Sequence, residues 1–183
     1  MKARSITLPV SGYTIAVRPQ SAMVTEGIGV RANAEYEGSK PKPPVQRIET
    51  APGEFRDIAQ LQDPTYVQEL EAWQSKVSKF QFQLTLDMVA SVGIVHDETF
   101  QEIMRDCENL MPQYRALGID IPDSKPKFAL LYIIAPAEDD LNTILFEVIG
   151  RGLPREEQVR MRRMMFQDNV SQAPAEHVAE SEK

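Results

Sequence analysis

The sequence predicts an α+β fold that is predominantly α-helical: a small N-terminal β-hairpin or three-stranded unit, a Pro-rich linker, a helical domain and a disordered acidic C-terminal tail. Three observations carry this prediction: short β-branched runs open the chain, prolines crowd the stretch from Gly38 to Gly53, and apolar residues recur at helical spacing from Asp63 onward. The boundaries that follow are 1–36 for the β unit, 37–62 for the linker, 63–167 for the helical domain and 168–183 for the tail.

Ile6 to Val10 and Tyr13 to Val17 read as two strands joined at Ser11-Gly12, with Pro9 placing the first at an edge. A third strand is expected from Gly27 to Ala34, where Ile28, Val30, Ala32 and Ala34 alternate with Gly29, Arg31 and Asn33. Gly38-Ser-Lys-Pro-Lys-Pro-Pro44 and Pro52-Gly53 then mark an extended connector; its Pro41-x-x-Pro44 fits the minimal SH3-ligand pattern, which is also common in plain linkers. Asp63-Pro64 is a helix start, and the helix should run to about Val92 before Gly93, roughly 43 Å at 1.5 Å per residue. Thr99 to Glu102 matches a capping box for a helix with Phe100, Ile103, Met104, Cys107 and Met111 on one face, ended by Pro112. Gly118 to Asp123 reads as a loop, and Phe128 to Ile134 as a helix, with a buried strand as the competing reading. Leu141, Ile144, Leu145, Val148 and Ile149 form a helical face that stops at Gly150; Pro154 opens a last helix through about Gln167.

Composition excludes several classes. A net charge of −7 disfavours a protein that coats nucleic acid, and the lone Cys107 excludes an internal disulfide framework or a cysteine-based zinc cluster. Residues 1–25 hold no apolar core of signal-peptide length, and the most apolar run, Phe128 to Ala135, is far short of the ~20 residues of a membrane helix, so a soluble protein is expected.

No reaction is announced either. Gly27-Ile-Gly-Val-Arg-Ala32 matches G-x-G-x-x-A, but no apolar strand precedes it and no good helix follows. His96-Asp97-Glu98 lacks helical metal-ligand spacing, and Asp97 and Glu98 are explained by a helix N-terminus. Cys107 lies among apolar neighbours and reads as a core thiol. The pairs Asp139-Asp140 and Glu156-Glu157 stand at helix starts. A basic patch of Arg151, Arg155, Arg160, Arg162 and Arg163 admits a solvated face, a protein docking site or nucleic acid, and the tail from Asp168, with four acids and one lysine, can screen it.

The most informative feature is the long helix, in which Tyr66, Leu70, Trp73, Val77, Phe80 and Leu84 are spaced 4, 3, 4, 3, 4. Asp87 interrupts this seam, and Leu86, Met88, Val89 and Val92 widen the apolar arc beyond it. The stripe either packs on the protein's own elements or docks a foreign helix with Tyr66, Trp73 and Phe80 as anchors. Met161, Met164, Met165 and Phe166 would add an adaptable second surface.

In its order of segments the chain resembles the tail assembly chaperones of long-tailed bacteriophages. The residues that carry the likeness are the hairpin Ile6-Thr-Leu-Pro-Val-Ser-Gly-Tyr-Thr-Ile-Ala-Val-Arg-Pro19, the Pro-rich connector, Asp63-Pro-Thr-Tyr-Val-Gln-Glu-Leu-Glu-Ala-Trp73, Lys127-Phe-Ala-Leu-Leu-Tyr132, Glu138-Asp-Asp-Leu141 and Leu153-Pro-Arg-Glu-Glu-Gln-Val159. The acidic tail and the stretch Gln20 to Glu37 depart from the commoner layout. The resemblance implies a non-catalytic protein of the host cytoplasm that holds the helical tape-measure protein during tail morphogenesis; beside it, the residues themselves predict no cofactor and no membrane partner and leave a homo-oligomer open. A structural component of the virion, such as a minor tail or connector protein, is the alternative.

Overall fold

The computed structural model describes residues 2–150, and the basic patch, the Met161 to Phe166 cluster, the helix expected from Pro154 and the tail lie outside them. Strands β1 (Arg4–Thr7) and β2 (Thr14–Val17) form an antiparallel hairpin in the register Ile6 to Ile15. Gly12 turns it at φ +72°, a left-handed conformation that suits glycine. Its third partner is not the stretch from Gly27 to Ala34. Val17 bridges to Ile94, the Arg18 amide donates to the Gly93 carbonyl at 2.7 Å, and the Val95 amide donates to the Ala16 carbonyl at 2.8 Å.

Gly27 to Ala34 lies instead within helix α1 (Ala22–Tyr36). Ile28 and Ala32 belong both to the two-residue alternation and to the i, i+4 row Val24, Ile28, Ala32, Tyr36. Burial decides between the two periods: Ala32 is sealed and Ile28 and Tyr36 are half-buried, whereas Val30 and Ala34 are exposed.

The linker is also more ordered than its prolines suggest. Strands β3 (Val45–Ala51) and β4 (Glu54–Ala59) make a second antiparallel hairpin, turned by Pro52-Gly53 with Gly53 at φ +82°. Proline followed by a left-handed glycine is the signature of a type II turn.

Helix α2 (Pro64–Met88) starts where the sequence predicts, with the Asp63 carboxylate accepting the Tyr66 amide at 3.0 Å, and runs on through a π-helical turn, Val89–Gly93. Gly93 has a steric role there, since a Cβ would lie 2.7 Å from Cγ1 of Val148. Helix α3 (Glu98–Ala116) is capped by Asp97 rather than Thr99: its carboxylate accepts the Phe100 amide at 3.0 Å. Pro112 does not end it. Buried Met111 and the edge-on packing of Tyr114 on Phe128 at 5.4 Å carry the helix past the missing amide, and it stops in a Schellman motif at Gly118, φ +75°. Helix α4 (Lys125–Phe128) continues as a π-helical turn, Ala129–Ile134, so the helical reading holds over the strand; α5 (Glu138–Ile149) ends at Gly150 as expected.

The core is built from α4 with its π turn, α5, the C-terminal half of α2 and one face of α3, with Phe128, Leu130, Ile134 and Ile144 fully buried. The N-terminal hairpin belongs to it, contributing Leu8, Ile15 and Val17, so a boundary at residue 36 separates no independent body. Asp87, which breaks the seam, faces Lys127: the half-exposed carboxylate lies 2.9 Å from an ammonium that also donates to Gln83 at 2.7 Å, tying α4 to α2.

Candidate interaction surfaces

The α2 stripe is covered largely from within. α1 runs antiparallel along it, with Gly29 beside Gln81 and Tyr36 beside Trp73 and Phe80. The Trp73 indole N–H donates to the Tyr36 carbonyl at 2.9 Å, Lys40 sits over the indole at 5.5 Å, and Phe80 meets the Tyr36 ring edge-on at 5.8 Å. Val77 is buried; Tyr66, Leu70, Trp73, Phe80 and Leu84 are half-buried. Of the two readings of the stripe, the indole bonded to Tyr36 favours packing on the protein's own elements, as a seam between two helices that leaves five of its six residues half-buried. The second predicted surface, Met161, Met164, Met165 and Phe166, lies outside the described residues.

Exposed apolar residues gather elsewhere. Among the described residues, the stretch from Ala22 to Val67 supplies nine of the fifteen large hydrophobic side chains left exposed, and only Ala32 among the twenty-four buried apolar ones. On α1, Met23 and Val30 are 80% and 70% exposed, on a row with Gly27 and Ala34 at spacings of 4, 3 and 4. In the second hairpin every residue of both strands is exposed, including Val45, Ile48, Phe55 and Ile58. These features escaped the sequence reading because Gly27 and Gly29 argue against a helix and because prolines flank the hairpin. The usable signal was Pro52-Gly53 between two β-branched or aromatic alternations.

Among the described residues, His96, Cys107 and Asp140 each have a structural role. The His96 imidazole donates from Nε2 to the Ala90 carbonyl at 3.0 Å and stacks on Phe100 at 4.3 Å. Cys107 is fully buried, and burial pushes its thiol up, away from the reactive thiolate, with Asp106 adding to the shift. Asp140 holds the first hairpin, accepting the Val10 and Ser11 amides at 2.8 Å each. A cleft of about 440 Å³ beside α2 is lined by Asp87, Asp120, Asp123 and Lys127, but Asp87 pairs with Lys127 and Asp123 with Arg115 at 2.8 Å. Among the described residues no group of three His, Cys, Asp or Glu is placed to share a metal ion. None of their helices is long and apolar enough to cross a membrane. The chain matches no protein-family model, no curated protein and no solved structure.

Proposed function

We propose that the protein is a non-catalytic client-binding protein, a phage tail assembly chaperone that holds the helical tape-measure protein in the host cytoplasm until the tail tube forms. The observation that supports a binding role is the uneven distribution of apolar side chains: among the described residues, the stretch from Ala22 to Val67 holds nine of the fifteen exposed large hydrophobic residues but only one of the twenty-four buried apolar ones. The resemblance in segment order supplies the client. In this reading the client helix lies on the outer face of α1, where Met23, Gly27, Val30 and Ala34 offer a narrow apolar row with small residues that permit close approach.

Because Met23 and Val30 are so exposed, Met23→Glu with Val30→Glu should leave the thermal melt within about 0.5 kcal/mol of the parent. The same change should reduce co-purification of co-expressed tape-measure protein at least tenfold. Full retention of the client by this variant would remove α1 from the binding surface. Mass spectrometry of finished particles tests the alternative: stoichiometric presence of the chain would make it a structural virion component.

A further inference from the structure

We propose that β3 is a dimerisation edge, pairing antiparallel with β3 of a second copy about a two-fold axis through Ile48 to build a four-stranded sheet in the order β4-β3-β3-β4. This proposal is independent of the client surface on α1. A two-stranded hairpin is marginal alone in water, and here all seven residues of β3 and all six of β4 are exposed. The phase of the existing ladder says what the free edge offers. The Gln60 amide donates to the Pro44 carbonyl at 2.8 Å, so even-numbered β3 residues bond inward to β4. The amides and carbonyls of Val45, Arg47 and Glu49 therefore face outward, open to another strand.

Charge complementarity favours a second copy of the strand and one register on this edge. A two-fold axis normal to a sheet keeps every side chain on its own face, so only registers that pair residues of equal parity are allowed. Centred on Ile48, Arg47 falls opposite Glu49 of the second copy and Glu49 opposite its Arg47, twice by symmetry. These are also the residues whose free backbone groups would exchange hydrogen bonds. Centring on Arg47 sets arginine on arginine, and centring on Glu49 sets glutamate on glutamate. The β4 edge has a complementary register too, centred on Phe55 with Glu54 opposite Arg56 of the second copy, but Arg56 belongs to the phase that bonds inward to β3, so there the charge pairs and the free backbone groups fall on different residues. In the Ile48 register, Ile48 and Ile58 of both copies share one face of the sheet.

The test is a charge swap in the full chain, read by sedimentation equilibrium with circular dichroism as the folding control. Wild type should dimerise, with a mass twice 20.7 kDa. Arg47→Glu and Glu49→Arg should each weaken the dimer about tenfold or more by setting like charges opposite. An equimolar mixture of the two should form a heterodimer as tight as wild type, since each chain then carries one sign. The chain with both substitutions should self-associate again. Glu49 also accepts the Gly53 amide at 2.9 Å, so that doubly swapped chain, which lacks this bond too, separates turn damage from lost pairing. A monomeric wild type at its highest soluble concentration would overturn the proposal. So would single variants that dimerise undiminished, as pairing through β4 requires, or a mixture that fails to recover.

Discussion

Fully enclosed at the start of α5, the Asp140 carboxylate is paired by two amides from a segment 130 residues away. Burial raises its pKa, but the Val10 and Ser11 amides outweigh that and hold it below the ordinary aspartate range. A depressed folded-state pKa means the ionised form is favoured by folding. Its contribution is present in full above about pH 4 and is lost as pH falls through the folded-state value. Urea melts between about pH 5 and pH 2 should show this decline, and Asp140→Asn should flatten it. Asp140→Ala should cost about 2 kcal/mol at neutral pH, because both amides lose a charged acceptor. The Arg4 guanidinium fastens the same hairpin from its other end, paired with the Glu147 carboxylate of α5.

At the scale of elements, α1 and α2 stabilise each other through Trp73, Phe80 and Tyr36. Trp73→Ala should therefore lower stability by about 2 kcal/mol in a chemical melt, a half-buried indole with one hydrogen bond being worth less than a core aromatic. An unchanged melt would return the stripe to solvent. The same pair marks what was legible in sequence. Starts with a local signal were readable: Asp63-Pro64 fixed the opening of α2, and Gly150 the close of α5. What failed depended on distant partners. Gly27 to Ala34 carries a strand-like alternation that only the facing α2 overrules, and Pro112 ends a helix unless Met111 and Tyr114 are packed against the core. Of the candidate sites, the 66–84 ridge was legible as apolar periodicity, but its covering helix was not, because α1 has no strongly polar face to announce it.

For the molecule as a whole, the described residues divide into a well-buried core and a stretch, Ala22 to Val67, with little interior of its own. Hydrogen-exchange mass spectrometry on dilute protein should show amides of Val17, Phe128 and Ile144 exchanging near the global unfolding rate and those of Val45 to Ala59 orders of magnitude faster. Uniform protection would contradict the exposure of the second hairpin. The Asp140 clamp and the bond from the Gln20 amide to the Val148 carbonyl also have a kinetic meaning. On the ribosome, β1 and β2 emerge well before α5, and although they can meet Gly93 to Val95 earlier, their docking is complete only when α5 has left the exit tunnel. Closure of the core thus waits on nearly the last described residue, and throughout that interval the growing chain offers its greasy first hairpin to whatever lies nearby.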